Sequence, residues 1–340
     1  MLRTVHSRIE NWPLKAPFRI ARGVRTASAL VTVEIGEGGV TGRGEGVPSA
    51  RYGEDVASVT AQIEAVTGAI AQGATRDELR GLLPAGSARC ALDCALWDLE
   101  AGLGKVVLEP LHPITTALTV SIDTPDGMAD AARKLGDAAL VKVKVNGEQP
   151  EACLRAVRAE VPNATLIVDA NESWTMAQVE RLQPVLAELR IAMLEQPLQA
   201  GADDALHGFT ALVPICADES CHVTADLDRL RDRYSMVNVK LDKTGGLTEA
   251  LDLLVRARGM GLGVMVGCMV GTSLSMAPAF HVAQRADFAD LDGPWLMRED
   301  RPGGLGFAAD GRLTPPATGF WGTGMDGRAA LEMEFERRTN

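Results

Sequence analysis

No run in this sequence approaches the ~20 apolar residues that a membrane-spanning helix needs. The opening stretch "MLRTVHSRIENW" has no apolar segment of the kind a secretory leader uses. Six cysteines (90, 94, 153, 216, 221 and 268) include no CxxC pair. No disulfide framework is expected from them, and a reduced, cytoplasmic setting is. Five histidines (6, 112, 207, 222 and 281) show no ligand spacing, which disfavours zinc. Positive charge is also in deficit. The net charge of −11 argues against nucleic acid or an anionic membrane as partner. Nor is there a serine nucleophile elbow, since "GTSLS" at 271–275 lacks that pattern. What the chain does have is length and apolar content. Its 340 residues, 46% hydrophobic, can build a sizeable core in one large domain or two ordinary ones.

The stretch "LVKVKVNG" (140–147) alternates valine and lysine with the two-residue period of a β-strand. Both lysines therefore point to one face and the valines to the other. Lysine is almost never buried without a partner, so this is either a solvated edge strand or a strand whose lysines look into a site. The rest of the chain decides between them.

Residues 1–112 read as mixed α and β. "ALVTVEIG" (29–36) is a strand, and Val56, Val59, Ile63, Val66 and Ile70 recur at helical spacing, as do Leu92, Leu96, Leu99 and Leu103. "ARGVRTA" (21–27) and "ARYGED" (50–55) read as loops. Past "PLHP" (110–113) eight short apolar runs alternate with helical stretches, at 116–122, 139–145, 165–170, 191–196, 213–218, 235–241, 263–268 and 287–292. Eight βα units over 113–297 imply an α/β fold, a TIM barrel of (βα)8 type or its (βα)7β variant. An open doubly wound sheet lacks the G-x-G-x-x-G turn that would support it. The Gly- and Pro-rich segment 298–340 is expected to return to the N-terminal domain and fray at "EFERRTN".

The charged residues keep the phase of those units. Lys144, Asp169, Glu195, Asp218 and Lys240 are separated by 25, 26, 23 and 22 residues, each about one βα unit. In barrels the functional groups gather at the C-terminal ends of the strands, so the lysines belong to a polar ring at the mouth. Asp169, Glu195 and Asp218 on consecutive strands can converge, and three carboxylates without histidine favour a hard ion such as Mg²⁺. Strands two and six are half a barrel apart, so Lys144 and Lys240 should face each other across that ion. Neighbouring cations and burial are expected to lower a lysine's pKa toward neutrality. One lysine can then remove an α-proton, the metal stabilise an enediolate, and the other lysine protonate the far face. Lys142 would stabilise charge on the substrate carboxylate. Lys243 is expected in a loop or a salt bridge.

These motifs, "KVK" (142–144), "VDANESW" (168–174), "LEQPL" (194–198), "CADES" (216–220) and "NVKLDKTGG" (238–246), resemble the enolase superfamily in its muconate-lactonising subgroup. "RYGE" (51–54) and "ALDCALWDLE" (91–100) are similar to its N-terminal capping domain, and "DLDGP" (290–294) is most like the dipeptide epimerases. The resemblance implies one Mg²⁺ on Asp169, Glu195 and Asp218, acid/base roles for Lys144 and Lys240, and supporting polar roles for Asn171 and Glu219. It implies epimerisation of a small dipeptide, L-Ala-D-Glu or L-Ala-L-Glu, as in the handling of cell-wall peptides. Asp290 and Asp292, two apart on the strand-eight wall, would receive the dipeptide's ammonium, and Arg22 and Arg25 a second carboxylate. An o-succinylbenzoate synthase or muconate cycloisomerase chemistry, and a non-catalytic binder, remain alternatives at this point. So does self-association into a homo-oligomer.

Overall fold

The computed structural model describes residues 2–20 and 23–322. Arg22 and the tail "EFERRTN" lie outside the described residues. Strands β1 (Thr4–Ile20), β2 (Gly23–Glu37) and β3 (Val40–Gly46) form an antiparallel sheet in that order. The "ARGVRTA" stretch is therefore not all loop. From Gly23 it belongs to β2, with Arg25 opposite Phe18. Strand β1 carries Pro13 and Pro17, which read as breakers. As an edge strand it needs no ladder bond from either on its outer side.

Helices α1 (Val56–Ala71), α2 (Arg76–Leu82) and α3 (Ser87–Gly102) cover one face of this sheet. Asp55, at the end of "ARYGED", caps α1 by accepting the Ser58 N–H at 2.7 Å. Val59, Ile63, Ile70, Leu92, Leu96 and Leu99 pack there against Val31, Val33 and Ile35. The approach of α3 to β3 is closer than side chains permit. A Cβ on Gly44 would overlap the Ala91 carbonyl oxygen, and one on Gly42 the Ala95 oxygen. The sequence "GRGEG" thus gives α3 a smooth seat on one face. Its other face directs Arg43 and the buried Glu45 away from α3, Glu45 toward Thr272 and Arg301.

After the short strand β4 (Ile114–Thr115) come eight parallel strands, paired in sequence order: β5 (Leu118–Val120), β6 (Leu140–Lys144), β7 (Thr165–Asp169), β8 (Ile191–Glu195), β9 (Ile215–Ala217), β10 (Met236–Val239), β11 (Gly263–Gly267) and β12 (Phe288–Asp290). The Ala117 N–H reaches the Ala289 oxygen at 2.8 Å, and across the same seam Thr116 accepts the Leu291 N–H and Asp292 the Thr119 N–H, so the sheet is a nearly closed barrel. Outside it lie α4 (Pro125–Lys134), α5 (Pro150–Glu160), α6 (Met176–Glu188), α7 (Leu227–Leu230), α8 (Leu241–Thr244), α9 (Leu247–Gly259), α10 (Ser273–Ala283) and α11 (Gly293–Leu296).

Eight βα units were expected, but the connection after β8 holds only a 3₁₀ turn at Asp204–Leu206. Pro197, Gly201, Gly208 and Pro214 punctuate it too often for an α-helix. Strands β13 (Gly306–Phe307) and β14 (Arg312–Thr314) pair with β4 beneath the barrel. The chain then reaches the N-terminal sheet, where Trp321 Nε1 donates to the Arg43 oxygen at 2.9 Å and the Gly322 N–H to Asp98 at 2.7 Å. Among the described residues no helix is long and apolar enough to cross a membrane.

The glycine seat yields a stability test. Gly44→Ala should cost roughly 2–3 kcal/mol by overpacking α3. Gly68→Ala, exposed in the last turn of α1 with nothing within 4 Å of the added Cβ, should gain roughly 0.5 kcal/mol. Urea unfolding midpoints measure both, and equal shifts would refute the close-approach account.

Candidate functional site

Inside the barrel the pleat stacks two layers of opposite character. Leu140, Ile167, Met193, Cys216, Met236 and Met265 fill the lower layer. Two residues further along the strands, the inward positions become Lys142, Asp169, Glu195, Asp218 and Asn238, and Lys144 and Lys240 lie above them. The valines of β6 (141 and 143) pack outward against helices. Neither face of β6 is solvated: all of Leu140–Lys144 is buried. A charged layer in this setting persists only when its members compensate one another.

Lys142 Nζ lies 2.7 Å from Glu195 Oε2, 2.7 Å from Asp290 Oδ2 and 3.1 Å from Asp169 Oδ2. Lys144 Nζ meets Asp169 Oδ2 at 2.5 Å, and Lys240 Nζ meets Asp218 Oδ2 at 2.7 Å. The other Asp218 oxygen takes Lys243 at 2.7 Å. Lys243 forms the expected salt bridge, but from a helix rather than a loop. It is fully buried in α8, and it also donates to the carbonyls of Asp218, Cys221 and Asn238. Asn238 Nδ2 donates to Glu195 Oε1 at 2.8 Å. Gln196 accepts the backbone N–H groups of Asp218 and Ser220, which fixes the turn that carries Asp218. Sequence reasoning missed Gln196, Asn238 and the anchoring role of Lys243. Their signal was present in "LEQPL" and "NVKLDK", but a neutral amide or an off-phase lysine has no period to betray it.

Burial alone would raise the Asp169 carboxyl, but Lys144 and Lys142 hold it below the usual carboxylate range. Asp218 behaves alike beside Lys240 and Lys243. Glu195 is the opposite case: burial and the neighbouring Asp169 raise it to about 7. The lysines correct one expectation. Burial does push Lys240 down, but Asp218 and Glu195 outweigh it and leave it above the ordinary lysine value; Lys142 is raised in the same way by Asp290, Glu195 and Asp169. Counting cations and burial had left out the carboxylate each ammonium pairs with.

The ammoniums stand between the carboxylates, so no three described acidic side chains are in ready ligand positions for a metal. The donor set nevertheless fits a hard divalent ion. It is all oxygen and buried, with Glu195 short of positive charge and its Oε2 lacking a well-angled hydrogen bond. Asp169, Glu195 and Asp218 would hold such an ion.

Above this layer opens a cavity of about 450 Å³. Lys144 and Lys240, on strand positions four apart in the eight-stranded order, both line it. Room for Lys240 depends on Gly267 of β11, where a Cβ would fall 2.9 Å from Lys240 Cε and 2.8 Å from the Asn238 amide. Asn171 and Glu219 line the cavity as well. Asn171 bonds to Asp169 through its backbone and side-chain N–H groups, at 2.8 and 3.2 Å. Asp290 and Asp292 are brought together on the β12 side. Asp290 is paired with Lys142, whereas Asp292 accepts the Thr119 N–H, at 3.1 Å. Burial and Asp290 raise Asp292 to about 7. Arg25 lies exposed at the rim, on β2, with Phe18, Arg51 and Tyr52 from the N-terminal domain.

A family model for the mandelate racemase/muconate lactonizing enzyme N-terminal domain matches residues 2–114, and one for the enolase C-terminal domain-like fold matches residues 127–327. An L-Ala-D/L-Glu epimerase of Escherichia coli strain K12 is 50% identical over 310 residues, 88% of this chain and 97% of its own length. An N-acetyl-D-glutamate racemase of a Pseudoalteromonas species is 42% identical over 86% of this chain and 95% of its own. A crystal structure of an enolase family member from Agrobacterium tumefaciens, with homology to dipeptide epimerases and holding sodium and L-Ala-L-Glu, superposes with a TM-score of 0.90. It is 47% identical, over 94% of this chain and 99% of that one. Solved dipeptide epimerases of the same fold hold Mg together with a dipeptide. With both halves matched in order, the chain belongs to the enolase superfamily, in its mandelate racemase/muconate lactonizing enzyme branch.

Proposed function

We propose that this protein is a Mg²⁺-dependent dipeptide epimerase that inverts the C-terminal residue of L-Ala-D-Glu and L-Ala-L-Glu. One observation carries the reading: Lys144 and Lys240 enter a single cavity from positions half a barrel apart, and Asp169, Glu195 and Asp218 lie on the strands between them. A single-base elimination needs one of these lysines; inversion at a carbon needs one on each face.

Asp169, Glu195 and Asp218 would hold the Mg²⁺, which when bound would supply positive charge to attract the substrate carboxylate and acidify its α-carbon. With Asp169 and Asp218 turned to such an ion, Lys144 and Lys240 would no longer be held by these carboxylates, and for Lys240 burial would then oppose the charged form. Lys144 then takes the α-proton from one face, and Lys240 returns one to the other. Lys142 remains charged beneath them and stabilises negative charge on the substrate. Asp292, with Asp290 behind it, receives the substrate ammonium. The cavity lies below Arg25, which pairs with a side-chain carboxylate at the epimerised position. Arg22 is assigned the same partner. The rigid oxygen of Gln196 and the cation of Lys243 keep Asp218 in place throughout.

The six cysteines are all free thiols, which suits cytoplasmic work on peptides released from the cell wall. A second reading, racemisation of an N-acylated glutamate, draws support from the likeness to N-acetyl-D-glutamate racemase. It shares the lysines and differs in having no ammonium for Asp292.

Metal removal is the first test: EDTA should abolish activity and Mg²⁺ restore it, and Asp218→Asn should bind Mg²⁺ poorly. Full turnover by exhaustively chelated enzyme is incompatible with this site.

For the lysines, NMR in D₂O follows the α-proton. Lys144→Ala and Lys240→Ala should each lose epimerisation by at least about 10²-fold. Each should retain exchange only of the stereoisomer that the surviving lysine reaches. Interconversion of both isomers at the wild-type rate by either variant would falsify the two-base mechanism.

Substrate selection is read by comparing L-Ala-L-Glu with its N-acetyl form and with L-Ala-L-Leu. The free glutamate dipeptide should have the highest kcat/KM. Preference for the acetylated peptide would replace the dipeptide reading with the N-acyl one. Parity of the leucine peptide would remove the arginine contact.

A further inference from the structure

Asn171 and Glu172, immediately beyond β7, both hold left-handed backbone, with φ of 44° and 67°. Neither is glycine, and two such residues in succession persist only where their surroundings over-determine them. The turn matters because Asn171 holds both oxygens of Asp169.

The force on that turn comes from the N-terminal domain. Arg51, in the turn between β3 and α1, grips Glu172 with two parallel bonds, Nε to Oε2 and Nη2 to Oε1, each 2.7 Å. Such a fork is directional as well as strong. Glu172 Oε1 also accepts the Ala200 N–H at 2.8 Å, and the Glu172 N–H is donated to the Gln196 oxygen at 2.8 Å. Beside it the Tyr52 ring meets the edge of His222, centroids 4.5 Å apart, so the 50–52 turn rests on the barrel at two points. Gln196 is itself left-handed, with φ of 32°, and bonds to the Asp218 and Ser220 N–H groups. The fork therefore ends on backbone that is already tied to two of the three proposed ligands.

We propose that Arg51, acting through Glu172, is a positioning residue for the ion site: the fork keeps the 171–172 turn left-handed, and the turn aims the Asp169 carboxylate. This rests on the reading of Asp169 as a metal ligand. Docking of the capping turn and ion affinity are then one event, not two. Arg51 also lines the substrate cavity, so turnover alone does not isolate this role, whereas ion binding without substrate does.

The test is Mn²⁺ binding to the full chain, read from the electron paramagnetic resonance of free Mn²⁺, with thermal unfolding followed by circular dichroism. Arg51→Met and Glu172→Gln should each weaken Mn²⁺ binding about tenfold or more, the usual effect of losing a group that orients a ligand. Glu172→Gly lacks the fork but adopts left-handed backbone without steric cost, so it should bind Mn²⁺ more tightly than Glu172→Gln. Arg51→Lys, which keeps the charge but loses the second bond, should fall between wild type and Arg51→Met. It also serves if Arg51→Met does not fold. A lowered melting temperature with wild-type Mn²⁺ affinity makes the fork a mere tie between domains and overturns the proposal. Equal weakening in Glu172→Gly and Glu172→Gln overturns it too, because the turn is then not the link. Failure of the wild-type chain to bind Mn²⁺ would strike the ion-site reading itself.

Discussion

Charge compensation among buried groups in the barrel is the constraint on which the rest of this structure depends. Lys142, Lys144, Lys240 and Lys243 face Asp169, Glu195, Asp218, Asp290 and Asp292, all buried. Removing one member leaves an uncompensated buried charge, which costs far more than a surface ion pair contributes. The arrangement is therefore held as a set. Its compensation is uneven: Asp169 and Asp218 are over-supplied with cations, while Glu195 and Asp292 are under-supplied and raised to about 7. The two under-supplied places are the ones with capacity left for an incoming cation.

The second constraint is packing between units. The N-terminal domain meets the barrel through an apolar cluster of Leu14, Leu30, Val47 and Met297 and through polar contacts made from α3 and from the end of β3. Arg89 donates to the carbonyls of Thr244 and Gly245, Asp93 accepts from Thr248, and the Val47 N–H bonds to the buried Asp242. Burial, opposed by the Val47 bond, raises Asp242 to about 8. These contacts land just beyond Lys240 and Lys243. The capping domain is consequently fastened to the segment that carries Lys240 and Lys243, while Arg25 of β2 lies at the cavity rim.

Much of this was legible because barrels impose a period. The alternation in "LVKVKV" fixed which residues share a face, and the recurrence of charge at one βα unit fixed that the face looks inward. Other features have no period. The 17-residue β1 was hidden by its prolines, whose harmlessness depends on the strand being at an edge. The missing helix after β8 follows from four punctuating residues that composition alone treats as ordinary. The upward shift of Lys240 could not be foreseen from neighbours in sequence, since its partner Asp218 is 22 residues away. Gln196 acts through several hydrogen bonds to the turn beyond β9, and Asn238 through one that spans from β10 to β8, and only the register of the barrel brings these groups together.

The small sheet of β4, β13 and β14 beneath the barrel has a consequence for how the chain is made. Strand β4 waits for residues 312–314, the Ala139 N–H waits for the Asp310 oxygen, and the N-terminal sheet waits for Trp321 at Arg43. During vectorial synthesis the barrel's hydrogen bonding waits for residues 310–314 and that of the N-terminal sheet for residue 321. Contacts across such separations are slow to form, because loop closure precedes any gain from them. The segment 310–321 is thus the one whose emergence lets the hydrogen bonds of both units be completed.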